Sequence, residues 1–406
     1  MIWRALQGLS AAFLVPGSLA IISASFDEKS RGRAIGTWSG FTAITMALGP
    51  VLGGWLIEHA SWHWIFFINL PLAVVVALIT LWHVPESRNP NALQVDWLGA
   101  AAATFGLAAL VYGFLESAAG WTPRVVGTLI SGVLLLVLLV PIEKRVSAPM
   151  VPLDLFRSSS FSGANLLTLF LYAALGAFFF LFPMNLIQMQ KYSATEAGAA
   201  SLPTIFLVFF LSRWSGGLVA RYGAKAPLVI GPLIVAAGFA FFAVRPVSGS
   251  YWSGPFPGYL VLGFGLAVSV APLTTVVMGS VEQDRAGAAS GINNAVARVA
   301  GVLAVAVLGI VMVTAFATSL RASMGGLHLD SAVVHDLESN GARLGAIDLP
   351  PHLDPQTAGS LRDAITRAFL FGFRIIMLVC AGLALAGAAV AWWMIRSPGD
   401  HSSITS

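Results

Sequence analysis

Long apolar runs alternate along the chain with short polar turns. Eleven of these runs are about 20 residues long, the length that crosses a bilayer core as a helix. None alternates strictly like a barrel strand, and a backbone in lipid must satisfy its own hydrogen bonds, so each run predicts a transmembrane helix. The predicted spans are 2–24, 33–57, 63–83, 96–115, 124–142, 162–186, 196–215, 226–244, 257–279, 288–317 and 367–395.

Composition agrees with this pattern. Hydrophobic residues make up 57% of the chain and charged residues only 10%, whereas soluble domains carry about 25% charged residues. The single cysteine, Cys380, lies in the last apolar run, so no disulfide can form within the chain and no thiol or metal chemistry is indicated. The chain contains no GxxxxGK[ST] phosphate loop, so ATP is not predicted as the direct energy source.

The positive charge of the chain indicates membrane orientation. The formal net charge is +4, but the basic residues are scattered at the ends of spans, which argues against a nucleic-acid partner. Basic residues concentrate after the odd-numbered spans, as at Lys29 and Arg396, so these turns are predicted to face the cytoplasm. The C-terminus is then cytoplasmic, the N-terminus is extracytoplasmic, and segment 318–366 is external. Within that segment, Ser331 to Leu344 is compatible with a short surface helix.

Two glycine-containing motifs occupy the first two predicted spans. Glycines spaced by four residues share one helical face, small residues let neighbouring helices approach closely, and a proline within a helix bends it. Plain helix packing and a role in transport both fit this pattern. The motifs are Arg4-x-x-Gln7-Gly8 and Gly49-Pro50-x-x-Gly53-Gly54.

A basic turn followed by a small-residue helix occurs twice, at Arg31 to Gly36 and at Arg285 to Gly291. Transporters are often built from two such halves, with the substrate site between them. Together with the two glycine motifs, the chain resembles the major facilitator superfamily, in particular its 14-span drug:proton antiporters of the EmrB/QacA type. Further stretches that carry the resemblance are Ser61-Trp62-His63-Trp64, Ile68-Asn69-x-Pro71, Gly217-x-x-x-Arg221-x-Gly223 and Asn294-x-x-x-Arg298-x-x-Gly301.

The resemblance implies an all-α polytopic fold in three parts. Residues 1–83 correspond to core helices four to six, the remainder of an N-terminal bundle, and residues 84–160 to two extra linker helices and a cytoplasmic loop. Residues 161–406 correspond to a C-terminal six-helix bundle. Core helices one to three are then absent, and a chain that begins outside without a basic leader agrees with that expectation.

The implied function is proton-coupled export of apolar or cationic small molecules across the cell (inner or plasma) membrane. Its partners are the lipid bilayer, the small-molecule substrate and protons, with no cofactor and no enzymatic activity. A polytopic membrane enzyme would need clustered Asp, His or Ser near one interface, and the sequence contains no such cluster. The alternative is a truncated, transport-inactive remnant or an assembly partner of such a transporter.

The resemblance also proposes site residues. It places Arg4 in the transport cavity, although snorkelling to headgroups explains this residue equally well. Gly217, Arg221 and Gly223 match a cytoplasmic loop motif, but Ala220 replaces its usual acidic residue, which weakens any gating charge cluster.

Polar residues within apolar runs are candidates for the cavity. They can contact substrate or form hydrogen bonds between helices. These candidates are Asn165, Tyr172, Asn185, Gln188 and Arg298. Neighbouring aromatic residues can line a cavity or pack in the core; they are Phe178, Phe179, Phe180 and Phe182.

No carboxylate lies in the middle of a predicted span. Asp96 and Glu116 bracket the fourth span, and Glu58 and Glu143 lie at span ends. Proton coupling needs an acid whose environment changes between the two sides of the membrane. In the family this acid is commonly on the first core helix, and Asp96 is a weak substitute for it.

Overall fold

A computed structural model describes most of the chain. The described residues are 51–84, 96–117, 120–146, 149–245, 250–281, 285–325, 330–347, 349 and 353–395, with scattered positions between 6 and 49. All regular structure in these residues is helical. They include nine helices long and apolar enough to cross a membrane, which match predicted spans three to eleven. The first two predicted spans lie largely outside the described residues.

The helices are labelled in chain order after a helical segment at 51–59. Two short 3-10 helices, Leu153–Arg157 and Gly341–Ala346, lie between them. The α-helices are α1 Trp64–Phe67, α2 Asn69–His83, α3 Trp97–Ser117, α4 Pro123–Glu143, α5 Ser159–Gln188, α6 Ala194–Ala199, α7 Leu202–Tyr222, α8 Lys225–Val244, α9 Pro255–Gly279, α10 Ala286–Met324, α11 Ser331–Ser339 and α12 Pro355–Met394.

Side-chain caps fix where several helices begin. The Thr122 hydroxyl accepts a hydrogen bond from the backbone N–H of Val125, and Pro123 occupies the first turn of α4. Ser193 and Glu196 form a reciprocal capping box at the start of α6. The Asp354 carboxylate accepts bonds from two backbone N–H groups at the start of α12. These caps satisfy N–H groups that a helix start leaves without partners.

The contacts divide the chain into two compact units. The first comprises Met1–Gln94 and Ser193–Phe209, and the second comprises Val95–Tyr192 and Phe210–Ser406. In the first unit, α2 buries none of its side chains, as expected of a helix whose surface meets lipid. The three-part domain division made from sequence stays a prediction.

The second unit is a helix bundle with α12 at its centre. α12 packs against α5, α8 and α10, while α8 also packs against α9. A cluster of aromatic rings, with centroids about 5–6 Å apart, fills the space between α5, α8, α9 and α12. It consists of Phe178, Phe182, Phe239, Phe242, Tyr259 and Phe373. Phe178 and Phe182 are therefore core residues, whereas Phe179 and Phe180 are exposed.

Glycines bring the backbones of this bundle into direct contact. A Cβ atom added to Gly176 of α5 would lie 2.6 Å from the Cα atom of Gly301 on α10. A Cβ atom on Gly265 of α9 would lie 2.7 Å from the backbone nitrogen of Val235 on α8. Real Cβ atoms do not approach backbone this closely, so only glycine fits at these crossings.

Two of the described helices are about twice as long as a bilayer core is thick. α10 has 39 residues and α12 has 40, so each is about 60 Å long, twice a bilayer core. α8, with 20 residues, is about 30 Å long. The C-terminal end of α8 lies beside the middle of α12, because Val244 and Arg245 line the same groove as Leu370 and Arg374. The part of α12 before Leu370 therefore projects past the end of α8.

The segment expected to be an external loop is therefore largely helical. α10 continues to Met324, and α11 forms within 331–344, where the sequence alone did not decide between helix and loop. α12 begins at Pro355, twelve residues before the predicted start at 367. Buried apolar side chains hold this projecting part together: Leu320, Met324, Leu337, Leu344 and Leu361.

The glycine crossing between α5 and α10 leads to a first prediction. Gly176→Ala should destabilise the protein by about 1–3 kcal/mol, because the new methyl group meets backbone that cannot move aside. Thermal unfolding of the purified protein in detergent measures this effect. Gly309→Ala on α10 is the matched control, because a Cβ atom there meets nothing within 4 Å. Equal melting temperatures for the two variants would contradict the close contact.

Candidate functional site

The helical segment 51–59 packs against the start of α6 through Gly54. A Cβ atom on Gly54 would lie 2.6 Å from the carbonyl oxygen of Ala194 and 2.7 Å from the backbone nitrogen of Thr195. Only glycine fits here. Among the described residues, no heavy atom lies within 4 Å of a Cβ atom on Gly49 or Gly53. In the described part of the chain, the glycine motif therefore has one position in close backbone contact, Gly54.

Glu58 reinforces the same contact one turn later. Its carboxylate accepts hydrogen bonds from the backbone N–H of Thr195 at 2.8 Å and from the Thr195 hydroxyl at 2.7 Å. These bonds hold the pKa of Glu58 below its ordinary value. In the sequence, Glu58 is marked only by its position at a span end. The partner residue is 137 positions away, so no local pattern indicated the contact.

The first motif is described only in part. Gln7 and Gly8 are helical and exposed, and a Cβ atom on Gly8 would meet nothing within 4 Å. Arg4 and Pro50 lie outside the described residues. The proposed role of Arg4 in a cavity therefore stays a prediction.

Asn165 joins a buried polar cluster between α5 and α10. Asn293 Nδ2 donates to Asn165 Oδ1 at 3.2 Å and to Thr168 Oγ1 at 2.7 Å. Asn165 also donates to the carbonyl oxygen of Phe161, and Thr168 to that of Ala164. These hydrogen bonds connect α5 to α10. Of the two roles that the sequence left open for Asn165, this geometry favours hydrogen bonding between helices. Asn293 was not among the predicted site residues.

A different face of α10 carries exposed polar groups. Asn294 and Arg298 are exposed, as are Gly291 on the preceding turn and Val302 on the following one. We call Gly291, Asn294, Arg298 and Val302 the α10 stripe. Arg298 lies about 18 Å from the start of the helix. Tyr172 of α5 is close enough to Arg298 to interact with it electrostatically.

Asn185 and Gln188 lie at the other end of α5. The Gln188 side-chain oxygen accepts a hydrogen bond from the backbone N–H of Gly345, in the second 3-10 helix, at 3.2 Å. Gln190 Nε2 donates to Asn185 Oδ1 at 3.0 Å. Asn165 is 20 positions before Asn185, about 30 Å along the helix. The structure therefore does not bring the five cavity candidates into one site.

The cytoplasmic loop motif forms the end of α7. Gly223 has φ +75°, a left-handed conformation that glycine adopts without strain, and its N–H donates to the carbonyl oxygen of Val219. Arg221 is exposed and lies over the ring of Tyr222 at 5.3 Å. No heavy atom lies within 4 Å of a Cβ atom on Gly217. Gly223 thus has a clear conformational role.

An ion pair connects the 3-10 helix Leu153–Arg157 to the start of α10. Arg285 donates to the Asp154 carboxylate, and this bond holds the pKa of Asp154 below its ordinary value. Both side chains are about half exposed, so solvent screens the pair. Sequence analysis noted Arg285 only as part of a basic turn.

Comparison with known proteins identifies the family. The family model described as Major Facilitator Superfamily matches residues 1–305. The "Tetracenomycin C resistance and export protein" of Streptomyces glaucescens is 29% identical over 418 residues, which cover 99% of this chain and 75% of the relative. The "Multidrug resistance protein Stp" of Mycobacterium tuberculosis H37Rv is 31% identical over 400 residues, covering 96% and 73% of the two chains.

A solved structure shows the same fold. It is the inward-facing, unoccupied crystal structure of a bacterial homologue of the human lysosomal transporter Spinster. The match has a TM-score of 0.50 at 14% identity and covers 94% of this chain and 75% of that one. With the helical architecture and the family match over three quarters of its length, the chain belongs to the Major Facilitator Superfamily of membrane transporters.

Proposed function

We propose that this transporter is a drug:proton antiporter of the 14-span type that exports apolar or cationic small molecules. The relatives named for antibiotic export and for multidrug resistance support the export class. The two apolar helices α3 and α4, which pair with each other between the two halves of the sequence, support the 14-span type. The polar residues of the α10 stripe support a transport pathway along this helix.

The observation that carries the proposal is the exposure of Arg298. This residue lies within an apolar helix long enough to span the membrane, and among the described residues no carboxylate forms an ion pair with it. A charge that faces lipid costs several kcal/mol, so charged residues in spans usually face water or a partner. A water-filled pathway along the α10 stripe satisfies this constraint.

The pathway also bears on which substrates pass. A fixed positive charge raises the cost of bringing a second cation close in a low-dielectric region. Neutral apolar molecules meet no such penalty. Export of both classes by this chain therefore requires that the charge be balanced when a cation passes, and we infer that proton coupling serves this purpose.

Transport by the purified chain tests the function. We reconstitute it in liposomes and impose a pH gradient, with ethidium as the cationic probe and Nile red as the neutral apolar probe. We expect gradient-dependent movement of the probes, abolished by a protonophore. Movement that is indifferent to the gradient would contradict proton coupling. Liposomes that behave like protein-free ones with both probes would contradict export.

Arg298→Ala tests the pathway. The exposed position predicts an unchanged melting temperature, together with a fall in transport of about tenfold, equivalent to about 1.4 kcal/mol in the barrier. Arg298→Lys should recover part of the rate because it keeps the charge. Arg362→Ala is the control, since Arg362 is also an exposed arginine but lies on the projecting part of α12. Full transport by Arg298→Ala would remove this residue from the pathway.

Substitutions at Gly53 and Gly54 distinguish a role in helix packing from a role in the conformational change of transport. Gly53→Leu should leave the melting temperature unchanged, because no heavy atom in the described part of the chain lies within 4 Å of a Cβ atom there. It should abolish transport if this face closes on another helix during the cycle. Gly54→Ala should instead lower the melting temperature, since its methyl group meets the backbone of Ala194. Melting curves and liposome transport measure both effects. Unimpaired transport by Gly53→Leu would exclude a role for this face in movement.

A further inference from the structure

Two carboxyl groups meet at the base of the hairpin formed by α3 and α4. Asp96 immediately precedes α3, and Glu143 is the last residue of α4, so the antiparallel pairing of the helices brings them to the same end. Both are buried, with exposed fractions of 7% for Asp96 and 3% for Glu143. Buried carboxyl groups need partners for their oxygens.

Each carboxyl group has one oxygen bonded and one oxygen left over. Asp96 Oδ1 accepts a hydrogen bond from the backbone N–H of Gly99 at 2.8 Å, and Glu143 Oε2 accepts one from the backbone N–H of Val151 at 3.1 Å. Asp96 Oδ2 and Glu143 Oε1 are closed off from solvent and have no partner among the described residues.

The two unpartnered oxygens both lie close to Gly99. A Cβ atom on Gly99 would contact Asp96 Oδ2 and would lie 2.9 Å from Glu143 Oε1. Any side chain at position 99 would therefore collide with both carboxyl groups. The glycine leaves a small space that both oxygens border, and whatever occupies that space must satisfy two acceptors.

Two ionised carboxylates cannot share this space at low cost. They repel each other, and their burial disfavours two adjacent negative charges. A divalent cation would neutralise them, but calcium takes about six to eight oxygen ligands and magnesium about six. The described residues supply two free oxygens here. A single proton needs only two oxygens: one carries it as an O–H group, and the other accepts the hydrogen bond from that O–H group.

We propose that Asp96 and Glu143 form a proton-binding site, in which one proton is shared between Asp96 Oδ2 and Glu143 Oε1. The pair then carries a net charge of −1 and all four of its oxygens have partners. It joins the start of α3, the end of α4 and the segment around Val151 in one bonded unit. The proposal does not depend on export, because it concerns the protonation of two named groups.

Among the described residues, no charged group of the surrounding elements forms an ion pair with Asp96 or Glu143. Lys144 and Arg145 follow Glu143 directly but are exposed, and Glu116 and Arg124 lie at the opposite end of the hairpin. The remaining nearby charges lie on the 3-10 helix and on α10, which contacts α3. They are Asp154, Arg157, Arg285 and Arg298, of which Asp154 and Arg285 pair with each other.

The shared proton makes stability depend on pH in a defined direction. The folded pair retains a proton that the unfolded chain releases once the pH exceeds the ordinary range of carboxyl groups. Stability falls with rising pH wherever the folded state binds more protons than the unfolded state. We therefore expect the melting temperature of the wild-type protein to fall as the pH rises from the ordinary titration range of carboxyl groups to the pH at which the folded pair releases its proton.

Infrared difference spectroscopy on the full chain tests the proposal directly. At neutral pH we expect the C=O stretch of one protonated carboxyl group, which shifts in D2O and disappears at high pH. Asp96→Asn and Glu143→Gln should each remove this band, whereas Glu116→Gln, at the exposed end of the same hairpin, should leave it unchanged. If a variant folds poorly, the wild-type spectrum still tests the proposal, because the absence of any protonated-carboxyl band at neutral pH would contradict it.

Melting curves give a second, independent readout. Glu143→Gln keeps a hydrogen-bond donor to Asp96, so it should melt near the wild-type temperature at neutral pH and lose the pH dependence. Glu143→Ala should melt lower, because Asp96 Oδ2 and the Val151 N–H both lose a partner. If Glu143→Gln melts at as low a temperature as Glu143→Ala, the proposal of a shared proton is wrong.

Two further outcomes would also overturn the proposal. One is a wild-type spectrum with no carboxyl band that depends on Asp96 or Glu143, which would mean that both groups are ionised. The other is a rise in melting temperature on adding calcium or magnesium that both amide variants abolish, which would identify a cation site. Equal melting curves with these ions and with a chelator support the proton.

Discussion

Close approach of helix backbones is the constraint on which the rest of the structure depends. Lipid is as apolar as a leucine side chain, so helices in a membrane gain little from burial and associate through packing contacts that small residues allow. The contact of Gly176 with Gly301 fixes α10 against α5. It thereby fixes which residues of α10 turn inward, where Asn293 reaches Asn165, and which remain open, as Arg298 does.

This orientation separates two kinds of polar residue that look alike in the sequence. Asn165, Thr168 and Asn293 satisfy one another across the helix contact, and such bonds in membranes contribute about 0.6 kcal/mol on average. They specify helix register more than they add stability. Asn294 is adjacent to Asn293 but faces elsewhere, and its side chain donates to Ser290 on the preceding turn. Its position beside Arg298 favours an open pathway.

The sequence predicted the fold well because hydropathy reports directly on a physical length, the thickness of the bilayer. It failed at the start of α12, where Arg362 and Asp363 dilute the apolar signal although Leu361 and Ala364 are buried. Motif analysis could not distinguish Gly53 from Gly54, since the difference depends on the position of Ala194. Asp96 and Glu143 are 47 positions apart in sequence, and only the pairing of α3 with α4 brings them together.

The acids of this chain lie at helix ends, and that placement constrains how a proton could act on the pathway. Glu143 binds the N–H of Val151, three residues before Asp154, and Asp154 pairs with Arg285 at the start of α10. A change of charge on Asp96 or Glu143 would therefore displace the segment from Val151 to Asp154, which is bonded to Glu143 at one end and to Arg285 at the other. The exposed ion pair is the weak connection, since solvent screens the attraction between its two charges. Coupling through this route would thus be limited by Asp154 and Arg285 rather than by the buried carboxyl groups.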